Sequence, residues 1–182
     1  MIFTATPLPG AYLIELEKKG DERGFFARVF CANEFNQHKL ASHFCQVNNS
    51  LSPQKGTLRG LHYQLAPKAE SKLVRCIRGA LYDLILDLRD GSTTFGKSFG
   101  VELSADNRRM MYVPKGFAHG FVTLTDNTEV FYFVDEFYSP EHERGVRYND
   151  PAFELHWPIT PTVVSDKDKA HPLFERTWHL GA

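Results

Sequence analysis

The sequence predicts an all-β domain, a sandwich or barrel of short strands, and three observations carry that expectation. Segments rich in Val, Ile, Leu, Phe and Tyr recur at close intervals along the chain, and such residues suit a pleated, half-buried surface. Turn residues separate nearly all of them. No repeated helical segment lies between them, as a parallel α/β sheet would require.

In chain order, Tyr12 to Leu16, Phe25 to Phe30, Phe44 to Leu51, Thr57 to Tyr63 and Lys72 to Ile77 read as the first strands. Ala80 to Leu88, Lys97 to Leu103, Arg109 to Val113, His119 to Leu124 and Thr128 to Tyr138 follow. Gly20-Asp21, Pro53-Gln54, Gly79, Asp90-Gly91, Pro114-Lys115-Gly116 and Asp126-Asn127 punctuate them. Gly reaches positive φ, Pro presets φ, and Asp and Asn bond their own backbone, so each suits a turn. Only two segments read as helical: Glu34 to Leu40, capped at Asn33, and a short one near Asp166 to Ala170. Trp157 to Pro161 reads as an irregular arm over the barrel. Roughly ten or more antiparallel strands are expected.

Composition narrows the class. With 182 residues and 42% hydrophobic content, the chain suits one domain spanning 1–182, with a full core. Its formal net charge of -1 gives no global basic field for nucleic acid or an anionic membrane. An anionic ligand must therefore be met by a local group of Arg and Lys. No apolar run is long enough to span a bilayer. The opening residues lack the basic region and apolar stretch of a secretory signal. Cys31, Cys45 and Cys76 are scattered and odd in number, against a disulfide framework. A cytoplasmic protein with buried, reduced thiols is expected.

Four segments carry groups able to do chemistry. In Gly56-Thr57-Leu58-Arg59-Gly60-Leu61-His62-Tyr63-Gln64, a guanidinium and an imidazole interrupt an apolar strand. Such groups sit poorly inside a strand unless they face a wet cavity. Strict alternation puts Arg59 and His62 on opposite faces, whereas a bulge at Gly60 relaxes that. The ordinary alternative is a surface Arg and a satisfied core His. The second segment runs from Val113 to Phe121, and its Pro114-x-Gly116-x-x-His119 turn resembles the second conserved motif of cupin barrels. There, the turn delivers a His into the barrel mouth. Metal cupins place a second His two residues after the first, with a carboxylate a few residues on. Here Gln64 takes that place and Glu70 lies outside the compact spacing, so no metal is expected. In Thr128 to Val134, Tyr132 shares parity with Tyr138, and either can face a cavity or serve the core. Asp168 lies in a charged tail segment that by itself reads as a solvated face.

Taken in order, these segments resemble the dTDP-4-dehydrorhamnose 3,5-epimerase family. The matching pieces are Asp21-Glu22-Arg23-Gly24-Phe25-Phe26, Gln46-Val47-Asn48, Leu58 to His62 and Lys72 to Cys76. Gly116 to Phe121, Tyr132, Tyr138-Ser139-Pro140 and Ser165-x-Lys167-Asp168 complete the set. The resemblance covers about residues 6 to 174. It implies a cupin-type jelly-roll β-barrel with short peripheral helices and a C-terminal arm. It also implies a homodimer that exchanges N-terminal strands, acting without a cofactor on a nucleotide-linked 4-keto-6-deoxyhexose. The family's base falls on His62, its partner carboxylate on Asp168, its acid on Tyr132 and its ketone-side lysine on Lys72. Ligand contacts fall on Arg23, Phe26, Arg28, Gln46, Asn48, Arg59, His119, Tyr138, Glu143 and Lys167. One position departs: the best-known members carry a Glu where this chain has Arg28. That reversal leaves the nucleotide, and whether one or two carbons invert, open from sequence. A single-site epimerase acting on another nucleotide sugar and a non-enzymatic sugar-nucleotide-binding cupin stand as alternatives.

Overall fold

A computed structural model describes residues 1–181. In chain order the strands are β1 (Ile2–Ala5), β2 (Tyr12–Glu15), β3 (Lys19–Asp21), β4 (Gly24–Phe26) and, after helix α1 (Ala32–Gln37), β5 (Gln46–Ser52). Next come β6 (Thr57–Gln64), β7 (Lys72–Arg78), β8 (Ala80–Asp87), β9 (Ser98–Ser104) and β10 (Met110–Val113). Then follow β11 (Phe117–Thr123), β12 (Thr128–Val134), β13 (Glu143–Gly145) and β14 (Val163–Val164). Helices α2 (Asp166–Lys169) and α3 (Arg176–Leu180) end the chain.

The all-β expectation holds. One sheet runs β1-β2-β10-β7-β12-β5 and the other β13-β6-β11-β8-β9, with β14 added beside β6. Every pairing is antiparallel except that of β14 with β6. The sheets are not joined by one continuous ladder, so the barrel is an open, two-sheet one. β3 and β4 form a separate hairpin.

Alternation explains the layers. Val74 and Cys76 of β7, Leu81 and Ile85 of β8, and Phe117 and Phe121 of β11 fill the space between the sheets. The other face of β8, through Leu84 and Leu86, packs with Tyr148, Phe153, Trp157 and Phe174 of the C-terminal arm. On the far side, Phe35 and Leu40 cover Ile14, Leu73, Met110 and Tyr112. Phe35 is fully buried, and truncating such a ring to Ala costs about 3–5 kcal/mol. The arm over the barrel, expected at Trp157 to Pro161, therefore seals the second sheet.

Some boundaries differ. β4 stops at Phe26, short of the expected Phe30. β12 stops at Val134, where the Asp135 side chain accepts from Ser71 N at 2.6 Å and the chain leaves the ladder. Asn33 lies inside α1 and does not cap it; Cys31 takes the N-cap position without a side-chain bond. Gly20-Asp21, expected as a turn, lies in β3, and strands β1, β3, β13 and β14 and helix α3 were not anticipated. They are short, and tertiary pairing rather than local pattern makes them. Cys76 is buried, and burial pushes its thiol up to about 11; Cys31 and Cys45 are only half-buried. Among the described residues no helix is long and apolar enough to cross a membrane.

Candidate active site

The space between the sheets opens into two adjoining lobes, of about 540 and 350 Å³. His62, Lys72 and Tyr132 line both lobes and so stand at the waist between them. His62 comes from β6 in one sheet, whereas Lys72 and Tyr132 come from β7 and β12 in the other. The waist is thus walled from opposing sides.

The bulge in β6 explains how His62 and Arg59 share the cavity. His119 pairs with His62, yet Phe121 pairs with Arg59, so the register slips by one residue around Gly60. That slip cancels the alternation that would otherwise turn Arg59 away. Gly60 has φ +109, and a Cβ there would meet the His119 carbonyl at 2.6 Å, so only glycine fits.

His62 Nε2 lies 2.7 Å from Asp168 Oδ1. Asp168 is buried, and its other oxygen accepts from Gly60 N at 3.3 Å. Burial alone would raise its pKa, but the imidazoles of His171 and His62 and the Gly60 N–H hold the carboxyl well below the usual range. The Ser165 hydroxyl caps α2 by accepting from Asp168 N, which fixes the carboxylate on the arm. A second dyad lies beside the first: His119 Nε2 is 2.7 Å from Asp83 Oδ1. His119 is nearly buried, at 9% side-chain exposure, against 31% for His62. His62 is therefore the imidazole more open to the cavity.

Lys72 ties the two sheets together. Its ammonium donates to the His62 carbonyl at 3.2 Å and lies 3.1 Å from Glu70 Oε1. Tyr132 sits across the ladder from Asn48. Burial raises its hydroxyl pKa, Glu70 adds to the rise, and Arg59 opposes it, so the phenol keeps its proton at neutral pH. Arg59 reaches Ser52 Oγ at 3.2 Å and the Leu51 carbonyl at 3.3 Å.

At the rim of the smaller lobe, expected contacts form one linked group. Lys167 Nζ reaches the two Glu143 oxygens at 2.8 and 2.7 Å. The Tyr138 hydroxyl donates to Glu143 at 2.9 Å, and Tyr138 N donates to Gln46 Oε1 at 2.8 Å. Burial works to raise the Glu143 pKa, and the bonds from Lys167 and Tyr138 bring it below the ordinary value.

Arg23, Phe26 and Arg28 do not line this cavity. Arg23, on the β3–β4 turn, bonds Asp21. Phe26 is 69% exposed, and Arg28 lies 3.8 Å from Glu34. They face a separate small recess with Met1, Glu17 and Lys19, except for Arg23, which lies outside it.

Gln64 is fully committed to other work. Its amide donates to the carbonyls of Lys68 and Phe137 and to Glu70, and its oxygen accepts from Ser139 N. It fastens two loops and offers nothing to a metal. Among the described residues one trio has metal-ligand proximity: His62, Asp168 and His171, whose ligand atoms all lie within 4.8 Å of one another. Sequence reasoning missed His171 and Asp83, and it weighed Glu70 only as a metal ligand and not as the partner of Lys72. Asp83 carried a signal, since a carboxylate inside the apolar run Leu81 to Leu86 needs a buried partner. His171 carried none, because the arm has no periodicity.

Comparison with known proteins gives a consistent picture. The family model described as dTDP-4-dehydrorhamnose 3,5-epimerase matches residues 5–176. A protein of that name from Sinorhizobium fredii is 46% identical over 173 residues, 94% of this chain and 89% of the relative. The crystal structure of the Bacillus anthracis protein of that name, with TDP and PPi bound, superposes with a TM-score of 0.91 at 45% identity. It covers 95% of this chain and 99% of that one. A dTDP-6-deoxy-D-glucose-3,5-epimerase from Legionella pneumophila, in complex with dTDP-4-keto-L-rhamnose, gives 0.86 at 40%, covering 93% and 90%.

Proposed function

The chain belongs to the dTDP-4-dehydrorhamnose 3,5-epimerase family of isomerases, and from that membership we propose that it inverts carbons 3 and 5 of dTDP-4-dehydro-6-deoxy-D-glucose, giving dTDP-4-dehydro-L-rhamnose. The observation that supports this most is the waist: an imidazole and a phenol come from facing sheets, with an ammonium beside them. Inversion needs a proton removed from one face of a ring and returned to the other.

The 4-keto group makes the hydrogens on carbons 3 and 5 acidic. His62 removes one, and the C–H electron pair moves onto the ketone oxygen. Lys72 stabilises that enolate, a contribution of roughly several kcal/mol. Tyr132 then protonates the carbon from the opposite side. Exchange with solvent resets both groups, and the second carbon follows. Asp168 holds the His62 tautomer and stabilises the imidazolium. The ketone supplies the activation, so the reaction is written without cofactor or metal. Arg59 suits the diphosphate, because a guanidinium forks onto two oxygens; Gln46, Asn48, His119, Tyr138, Glu143 and Lys167 contact the rest of the ligand.

We further propose a cytoplasmic homodimer in which the exposed β3–β4 hairpin completes a neighbouring copy's cavity. That places Arg23, Phe26 and Arg28 at the nucleotide end. The exposure of Phe25, Phe26 and Ile2 supports burial against another chain. Turnover in deuterated water tests the reaction. Deuterium at both carbons is expected; one labelled carbon points to a single-site epimerase, and none to a binder without catalysis.

A further inference from the structure

The His171 imidazole has no task in the reaction above, yet the fold builds a seat for it. It follows α2 and stands three residues beyond Asp168, on the same side of that turn. Its ring lies over Gly145 of β13, where any Cβ would overlap it. Gly145 is itself the cross-strand partner of His62. The two imidazoles meet edge to face, with centroids 5.7 Å apart. The side chain is nine-tenths buried, and its Nε2 points toward Asp168 Oδ1 at 3.6 Å, too far for a hydrogen bond. That nitrogen has no hydrogen-bond partner among the described residues. A buried polar atom without a partner is costly, so something is gained when it finds one.

We propose that His62, Asp168 and His171 form a binding site for a divalent transition ion, Zn²⁺ foremost, and that its occupation silences the base. Two imidazoles and a carboxylate favour Zn²⁺, Co²⁺ or Ni²⁺ over Mg²⁺. With bonds of about 2.0–2.2 Å, tetrahedral ligands stand about 3.3 Å apart. The two separations from Asp168, 2.7 Å and 3.6 Å, straddle that value, and all three ligand atoms lie within 4.8 Å of one another, so side-chain movement gathers them on one ion. His62 and Asp168 line the cavity, which leaves the ion's fourth position toward it.

The inhibitory sense follows from imidazole chemistry. In the working enzyme, His62 donates its Nε2 proton to Asp168 and keeps a lone pair on Nδ1 to act as base. An ion bound at Nε2 takes that nitrogen's lone pair, and the neutral ring must then carry its proton on Nδ1. The basic lone pair is gone. The ion site itself stands apart from the epimerase reading; only its effect on turnover rests on that reading.

The test begins with chelator-stripped wild-type protein without substrate. Calorimetric titration with ZnCl₂ should show one ion per chain, and CoCl₂ should give the visible bands of tetrahedral cobalt. A crystal soaked in ZnCl₂ should show an anomalous peak among the three side chains. His171→Phe, which keeps the ring's volume, should weaken zinc at least about tenfold, since even outer partners of a metal command that much. In the turnover assay Zn²⁺ should inhibit, and EDTA should restore full activity. No saturable uptake, a peak elsewhere, or unchanged affinity in His171→Phe overturns the site. If His171→Phe fails to fold, the wild-type anomalous peak decides. A metal-free enzyme with no turnover would count against the epimerase reading, while calorimetry and diffraction would still judge the site.

Discussion

On the proposed assignment His62 removes the proton and Tyr132 returns it from the facing sheet, so their variants should fail differently. His62→Asn should abolish both epimerisation and exchange of substrate hydrogens with deuterated water, because the first chemical event is lost. Tyr132→Phe should keep some exchange, with deuterium returned by His62 to the original face, while losing most inverted product. Defects of about a hundred- to ten-thousand-fold are expected for groups of this kind. Asp168→Asn should fall between, because the base survives without its orienting charge. Normal exchange in His62→Asn would move the assignment to His119, whose own carboxylate is Asp83. At this scale the sequence was informative where motifs are contiguous. Leu58 to His62 and Gly116 to Phe121 announced two cavity histidines, and the two strands prove to be direct neighbours. It was silent on His171, whose contacts are made by folding and not by spacing, and the carboxylate of Asp83 inside an apolar run signalled a partner without naming His119.

At the scale of elements, the Gly60 bulge is the device that turns an ordinary strand into one wall of a site. Gly60→Ala forces a side chain into left-handed backbone and against the His119 carbonyl. A loss of at least about 2 kcal/mol is expected, seen as a melting temperature lower by about 4–8 °C, together with impaired turnover. An unchanged melting temperature would mean that β6 tolerates regular pairing. The end of β8 offers a second test. Asp87 is fully buried; burial would raise its pKa, but bonds from Arg89, Thr94 and Ser92 hold it at about 2. Its pKa is lower folded than unfolded, so its stabilisation is present above about pH 4 and fades toward pH 2. Asp87→Asn should cost about 2 kcal/mol at neutral pH. The gap between variant and wild type in urea unfolding should narrow as the pH falls below 4. The central strands were legible because β-branched and aromatic residues mark them; β13 and β14 were not, since Glu143-Arg144-Gly145 and Val163-Val164 are strands only because β6 lies beside them.

For the molecule as a whole, the proposed dimer puts the β3–β4 hairpin to work in a neighbouring copy. Sedimentation at micromolar concentration should show a dimer. Mixing inactive His62→Asn with impaired Arg23→Ala after shared unfolding and refolding separates the two arrangements. If one copy's hairpin serves another's cavity, half of the mixed dimers' sites are intact, and activity should recover to about a quarter of wild type for random pairing. If each hairpin served its own chain, mixing would add nothing. Arg28→Glu should alter preference among dTDP, CDP, UDP and GDP sugars more than it alters turnover with the best one. Strand spacing foretold the two-sheet architecture. That the hairpin stands away from its own chain's cavity was not legible in the motif, which names the residues that meet a ligand and not their place in the fold. Only the family resemblance implied an exchange between copies.

The parallel pairing of β14 with β6 also has a consequence in time. Most cavity-lining residues belong to strands that leave the ribosome before the arm does, whereas Ser165, Lys167 and Asp168 follow every strand of the two sheets. Domains begin to fold as they emerge. A nascent chain therefore owns its imidazole before it owns the carboxylate that steadies it. On the proposed assignment the site is complete only once the arm has been made and β14 docks beside a strand already in place.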